Sequence, residues 1–328
     1  MRPELSTGLY VMQLHRFDNV YGPDERAAIE RHLRIPAPPM EAADLTPELL
    51  SDVEVLVTSW GAPKLDAELL AAAPNLALVL YGAGSIKPVV TPESWARGVR
   101  ITAAAPANAI AVAEFAVSQI IYALKHGWRY VLRSREQLAT ASRVPEPGAY
   151  GTVVGLTSLG ATGRATARLL ANHDVVVQAY DPHAAETPGV RLVGLEELFA
   201  TSDVVSLHTP LLPGTRHLVG TALLESMKPD ATLINTARGG LVDETALVDV
   251  LSRRTDLFAV LDVTDPEPPV DGSPLFRLPN VVITPHLAGA LGNERRRLGA
   301  LMAEELGRYV AGEPLHHEIT EAVLARLA

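Results

Sequence analysis

Residues 152–164 read TVVGLTSLGATGR, and no other stretch limits the fold of this chain as tightly. A β-branched run, a turn of small residues and a helical opening, RATARLLA, follow in order; the chain then returns through DVVVQAY to end on Asp181. That order makes a βαβ unit, whose strands are parallel and whose helix crosses over the sheet. Dinucleotide turns of this kind use three glycines, for the tight turn, for backbone approach to the pyrophosphate and for packing helix on strand. Gly160 and Gly163 hold the second and third places, while Ser158 stands in the first. A serine fits the turn freely at negative φ, and a positive φ would cost about 1–2 kcal/mol, too little to abolish binding. Ala161 and Thr162 open the helix, whose unpaired N–H groups and positive dipole end suit phosphate. Asp181 lies 21 positions beyond Gly160. At that spacing a carboxylate bonds a ribose hydroxyl, and its charge favours NAD over NADP.

The same alternation runs through the whole chain. Before residue 105, GLYVMQL, VEVLVTS, LALVLYGAG and VRITAAA have strand character, with helical patterns such as DERAAIERHL and LDAELLAAA between them. Such spacing indicates parallel α/β units. From Asn108, NAIAVAEFAVSQIIYALKHGW reads as one long apolar helix that ends in the loop SRVPEPGAYG. Six strand-like runs follow, TVVGLT, DVVVQAY, DVVSLH, ATLINTA, LFAVLDV and NVVITPH, apolar enough for a parallel sheet covered on both faces. NERRRLGALMAEELGRYVAGEPLHHEIT reads as a packing helix closed by Gly312 and Pro314, with His316 and His317 in a solvated tail. At 328 residues the chain suits two domains, each with its own core.

Charge and composition narrow the function. With 28 basic and 38 acidic residues and no basic run, the chain lacks the stripe that nucleic-acid binding needs. It has no cysteine, which excludes disulfides, thiol nucleophiles and cysteine metal sites. No run reaches the roughly 18 apolar residues of a membrane helix, and MRPELSTG has no apolar signal core. A cytoplasmic protein is therefore expected. Asp262, Asp265, Glu267 and Asp271 are carboxylates without a histidine at ligand spacing, so no metal site is expected.

Three chemically capable residues fall at or just after later strands: Arg238 after ATLINTA, Glu267 after LFAVLDV and His286 at the end of NVVITPH. Open parallel sheets bind ligands beyond the carboxyl ends of their strands, so the three belong to one candidate cleft. Arginine grips a carboxylate with two parallel bonds. Histidine exchanges protons near neutrality, and a neighbouring glutamate orients its ring and favours its charged form. With a nicotinamide, the set suits hydride transfer to an α-keto acid. Singly, each has an ordinary reading: a surface arginine, a solvated acid in a proline-rich loop, a capped strand end.

At this level of detail the chain resembles the D-isomer-specific 2-hydroxyacid dehydrogenase family, which includes glyoxylate and hydroxypyruvate reductases and phosphoglycerate dehydrogenases. The resemblance covers most of the chain and is carried by NAIAVAEFA, GLTSLGATGR, SDVVSLHTPLLPGTRHLV, LINTARGGLVDETAL, AVLDVTDPEP and LPNVVITPHLAG. It implies two Rossmann-like α/β domains: a doubly wound, parallel-sheet NAD-binding domain, 107–290, inserted into a smaller flavodoxin-like substrate domain made of 1–106 and 291–328. It also implies a homodimer built largely through the nucleotide domains. By motif, Arg238 is similar to the family's substrate arginine, His286 to its acid/base and Glu267 to the histidine's partner. Asp262 matches the aspartate that meets the nicotinamide carboxamide. His208, Thr209, Pro210 and Thr215 match the turn that lines the cofactor, and Thr236, Ala237 and Gly289 its wall. Gly82, Ala83 and Gly84, in YGAGS, match the loop whose N–H groups hold the substrate carboxylate.

The reaction so implied passes a hydride between NAD(H) and a small 2-keto or 2-hydroxy acid, hydroxypyruvate or glyoxylate in type. Alternatives are oxidation of phosphoglycerate or phosphite, and a non-catalytic NAD(H)-sensing protein like the corepressors of this fold; Glu267 stands where formate enzymes carry glutamine. TSWGAPK offers no arginine beside Thr58 or Ser59, where phosphoglycerate enzymes usually have one. Trp60 there suggests a bulky or apolar wall, and Lys87 is available for a second anion.

Overall fold

The computed structural model describes residues 5–325. Contacts divide the chain into two compact units, one of the residues up to Ala109 together with those from Ala290 on, the other of Ile110–Gly289.

The first unit holds a five-stranded, all-parallel sheet of β1 (Ser6–Val11), β2 (Leu33–Arg34), β3 (Val55–Thr58), β4 (Leu78–Tyr81) and β5 (Arg100–Ala103), in the order β2-β1-β3-β4-β5. This is the flavodoxin-like order, with its switch point between β1 and β3. Both faces are apolar, as a sheet covered on both sides demands. Leu9, Val11, Leu56, Val79 and Ile101 enter one core, and Tyr10 packs against Phe17 and Tyr21 on the other side.

The helix Arg296–Val310 belongs to this unit, and the segment after it is pinned through its backbone, although His316 stays exposed and His317 half-buried. Glu305, fully buried on that helix, accepts the backbone N–H groups of His316 and His317 and the hydroxyl of Thr102, each at 3.1 Å. Ile319 N–H then donates to Ile101 O, and Arg100 grips Glu318 with two bonds of 2.8 and 2.9 Å. A buried carboxylate with three donors is satisfied, and it draws the two histidines down onto β5.

The second unit holds seven parallel strands: β6 (Val153–Thr157), β7 (Val176–Tyr180), β8 (Val190–Leu192), β9 (Val204–Leu207), β10 (Thr232–Asn235), β11 (Phe258–Leu261) and β12 (Val281–Ile283). Their order is β12-β11-β10-β9-β6-β7-β8, the doubly wound dinucleotide arrangement with one further strand. Alternation divides each strand between two cores: Val205, Leu233 and Ala259 pack on one side, Val204, Ile234 and Val260 on the other.

Two sequence expectations are corrected. Six strands were expected here, and the seventh, β8, is a three-residue edge strand whose half-exposed residues give no apolar run. The apolar stretch after Asn108 is two helices, Ala105–Ala123 and Gly127–Gln137. The break falls at His126, whose φ of 53° no α-helix accommodates. No single described helix is long and apolar enough to cross a membrane.

Candidate active site

The turn after β6 is built as a phosphate cradle with a strained entry. Ser158 adopts φ 69°, so the serine occupies the left-handed region that glycine would enter freely. Its surroundings over-determine it. Ser158 N–H donates to Tyr180 O at 2.6 Å, and its hydroxyl donates to Thr209 Oγ1 at 3.1 Å, which in turn donates to Thr157 Oγ1 at 2.9 Å. A Cβ on Gly163 would lie 2.0 Å from Ser158 O, so only glycine lets the helix Ala161–Leu170 pack this closely on the turn. A Cβ on Gly160 would meet nothing within 4 Å. Gly160 caps the helix without a side-chain bond, which leaves the first N–H groups of a ten-residue helix directed at that open space. The donor set suits a pyrophosphate.

Asp181 sits at the end of β7 and faces this turn. Its carboxylate accepts Leu159 N–H at 2.7 Å and His183 N–H at 2.8 Å, so it holds the loop while staying partly exposed. On β9 and the turn beyond it, His208 N–H bonds to Thr157, and Thr215 Oγ1 donates to Pro210 O at 2.6 Å and fastens the turn. His208 Nε2 meets Ser206 Oγ at 3.1 Å, while its Nδ1 is buried without a partner among the described residues, as is Thr236 Oγ1 after β10. Buried polar atoms are almost always satisfied, so two orphans in the expected cofactor wall fit a bound polar group. Burial holds the His208 imidazole down at about 4.

The chemical residues gather beyond β10, β11 and β12. Glu267 bonds Nδ1 of His286, both side chains being partly exposed. His286 has φ 51°, another non-glycine residue in the left-handed region. It is held there by Asp262, 1% exposed, whose carboxylate accepts Thr284 Oγ1 at 2.6 Å and the N–H groups of Leu287 and Ala288 at 2.9 Å each. The carbonyl of Asp262 also accepts His286 N–H at 3.0 Å. Strain of this kind persists only where neighbours impose it, and it clusters at functional sites.

Arg238 is not a surface residue. Burial pushes its guanidinium below the ordinary arginine range, and the nearby charge of Glu267 opposes that push. Its one hydrogen bond is to Ala237 O, and no described carboxylate forms an ion pair with it. Glu267 and His286 line a cavity of about 610 Å³ together with Pro268, Leu275, Phe276 and Ile283; Arg238 is not part of that lining but is near enough to Glu267 to feel its charge. Asp265 pairs with Arg216 at 2.7 Å, and Ala237 and Gly289 are partly exposed.

In the first unit, the loop after β4 commits two of its N–H groups internally. Gly82 donates to Thr58 O and Ala83 to Tyr81 O, each at 2.8 Å, while Gly84 N–H has no backbone acceptor. Lys87 is exposed further along this loop. Trp60, after β3, packs against the first unit's apolar core and carries two arginines on its ring. The guanidinium carbons of Arg16 and Arg295 lie 5.1 and 5.5 Å from the centre of its ring. No motif marked these arginines, which are far apart in the chain.

Comparison with known proteins shows the family and the fold. Residues 117–288 match the family model described as the NAD-binding domain of D-isomer-specific 2-hydroxyacid dehydrogenases. The chain is 36% identical over 256 residues to a D-3-phosphoglycerate dehydrogenase of Mycobacterium tuberculosis, covering 77% of this chain but 48% of that one. It thus spans about half the length of that relative. With the glyoxylate reductase of Thermofilum pendens it shares 35% identity over 263 residues, 76% of each chain. The NAD-complexed D-isomer-specific 2-hydroxyacid dehydrogenase of Lactobacillus delbrueckii ssp. bulgaricus has the same fold, with TM-score 0.78, 23% identity and coverage of 96% of this chain and 100% of that one.

Two measurements test this construction. Ser158→Ala keeps the positive φ and loses the bond to Thr209, and is expected to lower unfolding stability by about 1 kcal/mol in urea. Ser158→Gly loses the same bond but relieves the strain, so its stability should stay within about 0.5 kcal/mol of the parent; equal losses in both would show that the backbone is unstrained. The second concerns pH. Because the folded state disfavours protonated His208, the stability this contributes is complete above about pH 6.5 and is lost as pH falls towards 4. Melting curves of the parent and of His208→Gln should diverge in that window, the variant losing less; parallel curves would contradict the assignment.

Proposed function

The chain belongs to the D-isomer-specific 2-hydroxyacid dehydrogenase family and carries its NAD-binding domain, and from that premise we propose that it reduces a small 2-keto acid, hydroxypyruvate or glyoxylate in type, with NADH. The observation that carries the proposal is the Glu267–His286 pair near Arg238, a half-buried guanidinium that no described carboxylate neutralises.

In this reading the N–H groups of Ala161 and Thr162 hold the pyrophosphate and Asp181 the ribose, while Thr209, Pro210, Thr236, Ala237 and Gly289 line the nicotinamide end. Asp262 has used three acceptor positions on the His286 loop and keeps one for a carboxamide. The bound cofactor supplies the hydride. Arg238 grips the substrate carboxylate with its forked donors and meets the charge that develops on the keto oxygen. With Nδ1 bound to Glu267, His286 presents Nε2 to the carbonyl oxygen and delivers the proton there. The same groups run the oxidation in reverse.

The protein is further read as a cytoplasmic homodimer. A chain without cysteine needs no oxidising compartment. Supporting the dimer, Ile110, Tyr122, Val131, Leu138, Val144 and Tyr150 are exposed apolar residues within 41 positions of the nucleotide unit, Leu138 being 92% and Tyr150 87% exposed. Light scattering is expected to give twice 35.0 kDa, and a mass of 35.0 kDa at micromolar concentration would refute the dimer.

Turnover is tested at the histidine. His286→Ala is expected to lower kcat by about 10³-fold on whichever keto acid is reduced, with NADH still bound by fluorescence titration; Glu267→Gln should lower it by roughly 10–100-fold. Undiminished turnover in His286→Ala would end the assignment.

A further inference from the structure

We infer that Arg216 is a positioning residue for the reaction: through Asp265 it sets Glu267 against His286. This rests on the 2-keto acid reading above and adds to it a residue outside the reacting set.

Glu267 stands on an open loop. Pro266, Glu267 and Pro268 are all exposed, so little packing fixes where the carboxylate that meets His286 points. An exposed side chain keeps one geometry only if the backbone that carries it is held. Asp265, two residues before it, is held twice. Its carboxylate accepts Arg216 Nη2 at 2.7 Å, and its N–H donates to Glu244 Oε2 at 3.4 Å, at the start of the helix Glu244–Arg253. Thr264 Oγ1 donates to Pro266 O at 2.8 Å and stiffens the step between.

Arg216 is itself placed between fastened points. Its N–H donates to Leu212 O at 3.1 Å, within the turn that Thr215 closes, and the next N–H, of His217, donates to Gly240 O at 2.8 Å. The two glycines after Arg238 let the segments meet. A Cβ on Gly239 would lie 2.0 Å from Thr264 O; one on Gly240 would lie 3.0 Å from Arg216 Nη1 and 3.2 Å from Asp265 Oδ2. The ion pair therefore lies over Gly240, while Arg238 O is held by Asn235 Nδ2 at 2.9 Å. The turn after β9, the Arg238 turn and the Glu267 loop are joined at this one place, and all three belong to the second unit.

The guanidinium of Arg216 also answers two neighbouring acids. Burial raises the Glu244 carboxyl and the charge of Asp265 raises it further, against the bond from Asp265 N–H. Without Arg216, Asp265 faces Glu244 with no cation to hold it, and the loop loses its tie to the turn after β9. The pair is 53% and 35% exposed, and ion pairs so exposed add little to stability. Its effect is on geometry instead, and a displacement of about 1 Å at a reacting group can cost roughly 100-fold in rate.

The test follows kcat and KM with NADH, on the keto acid that turns over best, in the parent, Arg216→Ala, Arg216→Lys and Asp265→Ala, and in Arg216→Ala combined with Glu267→Gln. Arg216→Ala should lower kcat by about tenfold while KM, and the NADH affinity from fluorescence titration, stay within about twofold; Arg216→Lys should recover most of the loss. Asp265→Ala should lose as much as Arg216→Ala. In the Glu267→Gln background, removing Arg216 should cost less than about twofold, because the group it positions is already gone. An unchanged kcat in Arg216→Ala, or an equal loss in both backgrounds, would overturn the inference, the second being what a merely structural role predicts. If the parent reduces no 2-keto acid, it is the 2-keto acid reading that fails. Crystal structures of the parent and Arg216→Ala then decide: Glu267 displaced from His286 in the variant supports the inference, and an unmoved pair refutes it.

Discussion

The carboxylate of Asp262 governs the geometry of the chemical site. It is 1% exposed and accepts three hydrogen bonds from the segment Thr284–Ala288, while its backbone carbonyl accepts a fourth, from His286. A buried carboxylate is costly unless its lone pairs are filled, so the segment cannot relax without exposing an unpaired charge. That demand holds His286 at φ 51° and brings Nδ1 to Glu267. Glu267 and His286 are exposed, and the residue that holds the His286 segment in place is buried.

The two sheets solve a common electrostatic problem in the same way. Each is all-parallel, and each carries its polar equipment beyond the carboxyl ends of its strands. At both edges arginines remain without carboxylate partners, Arg238 in one unit, Arg16 and Arg295 in the other, although acids outnumber bases in the chain. Most other arginines are spent on ion pairs or backbone carbonyls.

What was legible in the sequence was what local order encodes. Strand, small-residue turn, helix, strand and Asp181 follow within thirty residues, so the nucleotide unit announces itself even with Ser158 in place of a glycine. The sign of φ at Ser158 was not legible, because it depends on the bonds to Tyr180 and Thr209 from neighbouring strands. The helix break at His126 was hidden by unbroken apolar periodicity, and β8 by its brevity at a sheet edge. His316 and His317 keep exposed or half-exposed side chains as a tail would, and the pinning of their backbone by Glu305 is what the sequence did not reveal. Arg16 and Arg295 meet only through the fold. They come from the helix Leu14–Val20 after β1 and from the start of the last long helix, so no single stretch of sequence brings them to Trp60 in the turn after β3.

The central claim is that these groups reduce the carbonyl carbon of a 2-keto acid with a hydride from NADH. It is tested most directly by supplying NADH deuterated at the transferable position of C4, together with the keto acids, and locating the label in the product. A 2-hydroxy acid with deuterium on C2 is the expected product. A hydroxy acid lacking deuterium there, or no hydroxy acid from any 2-keto acid while NADH is bound, would contradict it.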